Sequence, residues 1–126
     1  MPDDTARHPQ VVSILGLGRY LIASIHTALD DGQLTRFQHD LVEQIGRDRS
    51  RGVVIDIAAI DVLDSFTART LRNLARMAGL RGARTVIVGI NPDTAAALAR
   101  LGMPPGIAPT AADLDDAIAI LDEPTV

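Results

Sequence analysis

The residues of this chain that could do chemistry crowd into one stretch holding Asp56, Asp61, Asp64, Ser65, Thr67 and Arg69. A serine among carboxylates can act as a nucleophile, accept a phosphoryl group or cap a helix. Clustered aspartates can hold magnesium or carry an aspartyl phosphate. Missing partners narrow these choices. The α/β-hydrolase order is serine, acid, histidine, yet His8, His26 and His39 all precede Ser65. Asp64-Ser65-Phe66 also lacks the flanking glycines of a nucleophile elbow. No lysine is present to complete a receiver-type aspartyl site, and no cysteine to act as nucleophile, disulfide or thiolate ligand. The three histidines share no short ligand spacing and read as surface or core-edge residues, so no metal site is expected. The aspartates then solvate and cap a loop, and Ser65 is either a helix N-cap, worth about 1 kcal/mol, or a residue with a special role.

The elements that must position Ser65 follow from the flanking pattern. Val53 to Ile57 is a β-branched run bounded by Gly52, as expected of a strand covered on both faces. After the acidic loop, Ala68, Leu71, Leu74, Ala75 and Ala78 recur at helical spacing, with Ser65 in the first turn. The serine therefore lies at a sheet rim, at the positive end of a helix, beside Asp61 and Asp64. Thr67 and Thr70 read as polar-face residues of that helix. Arg69, Arg72 and Arg76 form a stripe at helical spacing, which is either a solvated face or a docking stripe for an acidic partner. Asp56 interrupts an apolar strand and needs a partner if buried.

Around this unit the chain alternates. Val11–Leu15 and Tyr20–Ile25 read as strands joined by Gly16-Leu17-Gly18-Arg19; a phosphate cradle there fails because no helix follows. Leu34, Phe37, Leu41, Val42 and Ile45 mark a helix that opens near Asp30. Gly79 and Gly82 end the central helix, and Thr85–Ile90 is a second buried strand in which Gly89 suggests close backbone approach or a bulge. Asn91-Pro92-Asp93 starts a helix through Ala95, Leu98 and Leu101, closed by Gly102. An edge strand is expected at Ile107, and Thr110 with Asp113 should open a last helix through Leu114, Ala117, Ile118 and Leu121. The alternation implies parallel pairing with right-handed crossovers, and the opening pair adds an antiparallel component. The fold class is α/β, with a mixed sheet of roughly four to five strands and about four helices.

Composition bounds the function. A chain of 126 residues forms one domain, and 47% apolar content is enough to give it a core. Only 2% of residues are aromatic and the net charge is −4, which together disfavour base stacking and general nucleic-acid binding. The polar start, Met1 to Gln10, lacks a signal-peptide core, and no apolar run is long enough to span a bilayer, so a soluble cytoplasmic protein is expected. Residues 1–10 read as a flexible tail, 11–122 as the domain and 123–126 as a C-terminal tail.

An ordered set of segments carries a resemblance. Val54-Ile55-Asp56-Ile57, Asp61-Val62-Leu63-Asp64-Ser65-Phe66 and Ala75-Arg76-Met77-Ala78 with Gly82-Ala83 come first, and Val86-Ile87-Val88-Gly89-Ile90-Asn91-Pro92 and Leu101-Gly102 follow. The set resembles the STAS domains of bacterial anti-sigma factor antagonists, from about Val11 to Leu121. Many of these carry Ser-Ser-Gly or Ser-Thr-Gly after the aspartate; Ser65-Phe66 is more similar to the RsbS-like stressosome branch. The resemblance implies that Ser65 is a phosphoryl acceptor, with Thr67 a second candidate. It implies partner contacts at Asp61, Asp64, Phe66 and Arg69, and a structural aspartate at Asp56. It implies a non-enzymatic, cofactor-free subunit that holds an RsbT-like serine/threonine kinase and releases it when phosphorylated. Homo-oligomer or dimer formation and co-assembly with RsbR-like STAS paralogues are implied too, with this chain the small subunit lacking an amino-terminal sensor domain. Two other readings stand beside it: a simple antagonist that forms no cage, and a STAS module holding a nucleotide or lipid.

Overall fold

The computed structural model describes residues 11–103 and 106–124. The expected N-terminal tail, the proline pair of the Pro104-Pro105-Gly106 linker and the last two residues of the C-terminal tail lie outside the described residues. The elements run β1 (Val12–Leu17), β2 (Tyr20–Ile25), α1 (Asp31–Asp48), β3 (Gly52–Asp56) and α2 (Ser65–Leu80). Then come β4 (Arg84–Val88), α3 (Pro92–Arg100), β5 (Thr110–Ala111) and α4 (Leu114–Asp122). The five strands stand in one sheet in chain order, β1-β2-β3-β4-β5. The first pair is antiparallel and the others parallel, as the alternation implied.

Three details differ from expectation. β4 ends at Val88, so Gly89 and Ile90 lie beyond the strand and not within it. β1 continues through Gly16 and Leu17, so the hairpin turn is only Gly18-Arg19, with Gly18 supplying the positive φ of 60°. The edge strand is Thr110–Ala111 and not Ile107, because the register sets Ile87 opposite Thr110 while the Ile87 N–H donates to the Pro109 carbonyl at 3.0 Å. Thr110 therefore belongs to the sheet, and Asp113 alone caps α4 by accepting from the Asp116 N–H at 2.9 Å.

Alternation along β2 and β3 divides the core. Leu21, Ala23, Ile25, Val53, Ile55 and Ile57 face one side, where Phe37, Leu41 and Ile45 of α1, the apolar face of α2 and Leu98 of α3 cover them. Val54, Val86 and Val88 face the other, under Ala117 and Leu121 of α4. Gly52 is needed beneath that helix, since a Cβ there would lie 2.7 Å from a Leu121 methyl. α4 packs mainly on β3, β4 and β5, and of β2 it meets Tyr20 at its end. Val12 and Ile14 turn toward the α1 side, so Leu15 and Leu17 point to the face α4 leaves open and stay 64% and 49% exposed. Among the described residues no helix is long and apolar enough to cross a membrane.

Candidate functional site

The site grows from the carboxyl end of β3. The Ile57 N–H donates to the Val88 carbonyl at 3.1 Å, which extends the β3–β4 ladder one step beyond the strand. Asp56 then turns the chain: its half-buried carboxylate accepts from the Ala58 N–H at 2.9 Å, the partner a carboxylate at a strand end requires. Gly89, at φ 83°, lies against this turn. A Cβ there would meet the Ala58 nitrogen at 2.6 Å and the Asp56 carboxylate at 2.7 Å, so close backbone approach is the reason for the glycine. Beyond the turn, Ile60 and Leu63 pack into the core while Asp61, Val62 and Asp64 face solvent.

Asp64, not Ser65, is the N-cap of α2. Its extended backbone (φ −109°, ψ 175°) lets its carboxylate accept from the Thr67 N–H at 2.8 Å. A carboxylate one residue earlier takes the bond that a Ser65 cap would have needed. Ser65 becomes the first helical residue, exposed, and its hydroxyl makes no hydrogen bond among the described residues. The Thr67 backbone N–H, with the Thr67 hydroxyl beside it, holds the Asp64 carboxyl below its ordinary range.

The other hydroxyls differ from the polar face expected of them. Thr67 and Thr70 are buried at 6% and 5% exposure, and the Thr70 hydroxyl donates to the Phe66 carbonyl at 2.8 Å. A second modification at Thr67 would have to open the first turn of α2. The arginine stripe splits as well. Arg69 and Arg76 are exposed, and the Arg69 Nε–H donates to the Ser65 carbonyl at 3.3 Å. Arg72 is half-buried and donates to the Gly102 carbonyl at 3.2 Å, tying α2 to the end of α3, so it is no part of a docking stripe.

The surface thus brought together comprises Asp61, Val62, Asp64, Ser65 and Arg69, with Phe66 half-buried behind them. Val62, 80% exposed at the loop tip, was missed in the sequence reading. The available signal was an aliphatic pair, Val62-Leu63, between two aspartates, after strand periodicity had ended and before helix periodicity began. Among the described residues no group of three His, Cys, Asp or Glu could share a metal ion. A concavity of about 320 Å³ at the Asp56 turn is lined by Ser24, Gly89 and the acidic residues Asp56 and Asp113, and by no basic residue. That is the wrong sign for nucleotide phosphates. What the rim offers is a free hydroxyl at a helix N-terminus, where backbone N–H groups tolerate an added anion.

Comparison with known proteins places this geometry. The STAS domain family model matches residues 8–117. A solved structure of a Ser-to-Glu variant of RsbS from Moorella thermoacetica is 32% identical, with a TM-score of 0.81 over 89% of this chain and 95% of that one. A chain from the stressosome, described as a signal integration and transduction hub, is 30% identical, with a TM-score of 0.72 over 86% of this chain and 95% of that one. The RsbT co-antagonist protein RsbRA of Bacillus subtilis is 28% identical over 75 residues, 60% of this chain but only 27% of that protein. The chain therefore belongs to the STAS domain family, with the fold of anti-sigma factor antagonists and a likeness to RsbS and the stressosome.

Proposed function

We propose that this chain is a non-enzymatic anti-sigma factor antagonist and stressosome scaffold that holds an RsbT-like serine/threonine kinase and releases it when Ser65 is phosphorylated. The observation that carries the reading is the exposed Ser65 hydroxyl, free at the first position of α2 because Asp64 has taken the cap. The likeness to RsbS supports it, as does the similarity to a protein named for RsbT. The kinase brings the ATP, and the complex works in the cytoplasm.

The physics of the switch is local. A phosphate adds about two negative charges where Asp61 and Asp64 already stand, but at a helix end that tolerates them. The fold persists while the rim becomes hostile to a docked partner. Val62 supplies the apolar contact of the unphosphorylated complex, Asp61, Asp64 and Phe66 surround it, and Arg69 offers a carboxylate-seeking fork one turn along.

Intact mass after incubation with the kinase and ATP tests the assignment. Wild type should gain one phosphate and Ser65→Ala none. Ser65→Glu should lose kinase in a co-purification that wild type passes. A phosphate persisting on Ser65→Ala would move the acceptor elsewhere, and Ser65→Glu retaining the kinase fully would end the release mechanism.

A further inference from the structure

Among the described residues β1 is the outer strand of the sheet, with a neighbour on one side only. Outer strands are normally blunted by a charge, a proline, a bulge or shortness. β5, at the opposite edge, is blunted by being two residues long. β1 uses none of these devices: Val-Ser-Ile-Leu-Gly-Leu is uncharged, free of proline and six residues long, paired without a bulge. It also exposes Leu15 and Leu17 on one face. On the other face a groove of about 420 Å³ runs between the strand and α1, floored by Ile14 and Phe37 and walled by Arg36 and Asp40.

We infer that the free edge of β1 pairs antiparallel with β1 of a second copy of this chain, about a two-fold axis at Ile14, making one continuous sheet. The ladder fixes that register. The His26 N–H donates to the Val11 carbonyl at 2.8 Å, so the backbone groups of Val11, Ser13, Leu15 and Leu17 face β2. Those of Val12, Ile14 and Gly16 point outward. A two-fold at Ile14 sets Ile14 against Ile14 of the second copy and Val12 against Gly16 of the second copy, which forms about six backbone hydrogen bonds. The Leu15 side chains of the two copies then meet diagonally across the joint.

Charge selects the same axis. Arg36 and Asp40 stand one helical turn apart at the groove, both exposed, and neither joins an ion pair among the described residues. The two-fold lays the two α1 helices antiparallel on one side of the sheet. Arg36 then faces Asp40 of the second copy, and Asp40 faces Arg36 of the second copy. The surface is complementary to itself, as an isologous interface must be.

Sedimentation equilibrium of the full chain tests the pairing. Wild type should be a concentration-dependent dimer. Arg36→Asp and Asp40→Arg, each like-charged across the axis, should each weaken it by about tenfold or more, and mixing the two should restore a heterodimer. Gly16→Pro removes an outward N–H that β2 does not use, at a position with open space around it, and should leave a folded monomer. In the wild-type dimer the amides of Val12, Ile14 and Gly16 should gain hydrogen-exchange protection with concentration. Wild type monomeric at every concentration, charge variants that associate like wild type, or no rescue on mixing would overturn the inference. So would concentration-independent protection of those amides in a monomer, which would assign the edge to the chain's own residues. The inference deepens the assembly part of the proposed function but does not depend on Ser65. A monomer that still accepts phosphate would sink the pairing alone, and a dimer that takes none would sink the switch alone.

Discussion

Asp64 holds two duties in one carboxylate, capping α2 and charging the rim, and its substitutions separate them. Asp64→Ala should cost about 1 kcal/mol, a fall in Tm of roughly 4 °C for a chain this size, read by thermal unfolding. The folded-state pKa is lowered, so the proton is held more loosely in the fold than in the unfolded chain. The stability it contributes is present above the unfolded value near 3.8 and is lost as pH falls through the lowered value. Asp64→Asn keeps a capping oxygen without a titrating group, and should match wild type near neutrality while flattening this part of the acid limb. Gly89→Ala combines a positive φ with a 2.6 Å clash against the Ala58 nitrogen. It should lower stability by about 1–3 kcal/mol in denaturant unfolding and shift the amide resonances of the Asp56–Ala58 turn. At this scale the sequence was legible where chemistry is tied to residue type: the Asn91 cap, the reason for Gly89 and the lack of a histidine after Ser65. It was illegible where neighbours compete for one bond. Asp64 and Ser65 are both good caps, and only backbone geometry decides that the carboxylate wins.

The β3–α2 connection shows how one element divides its residues between fold and partner. Ile60 and Leu63 anchor the loop inward, and Val62 between them is left in solvent. Val62→Asp should therefore change the unfolding free energy by no more than about 0.5 kcal/mol. The same substitution should weaken kinase retention severalfold in a co-purification assay, since it places a third carboxylate where the proposed partner docks. Equal kinase binding by Val62→Asp would remove Val62 from the interface. Helix faces were the less readable part of this scale. Periodicity marks which side of α2 is apolar, yet Thr67 and Thr70 lie on its buried flank and Arg72 reaches across to α3. Those placements depend on which helix lies beside α2, and the period of a single helix does not contain that information.

At the scale of the whole molecule, two contacts close the sheet against α4. The Tyr20 hydroxyl donates to the Asp122 carboxylate at the end of α4, while Arg84 donates to the Ile120 carbonyl at 3.1 Å. The hydrogen bond to Asp122, followed by burial, raises the Tyr20 pKa above its usual 10.0. The tyrosine keeps its proton longer in the fold than in the unfolded chain. Its contribution to stability is full below the ordinary value and is lost as pH rises through the raised one. Ultraviolet titration of this chain, which has one tyrosine, should show a raised midpoint that returns toward the ordinary value in Asp122→Asn. Tyr20→Phe should remove the alkaline loss of stability that the pair causes. The architecture was read nearly whole from alternation and turn chemistry. β5 was misplaced, because a two-residue strand carries no period and is defined by its neighbour β4, and β4 was carried two residues too far, past the turn at Gly89.

The sheet order β1-β2-β3-β4-β5 also has a consequence for synthesis on the ribosome. Each strand pairs with the one made just before it, so a growing chain can add strands in turn without waiting for a distant segment. The rim is the exception. The turn that carries the chain toward Ser65 is braced by Val88 and Gly89, which are translated well after it. A nascent chain that has displayed its serine but not yet Gly89 lacks the brace that shapes the loop, so the regulatory surface matures only after the next strand has docked.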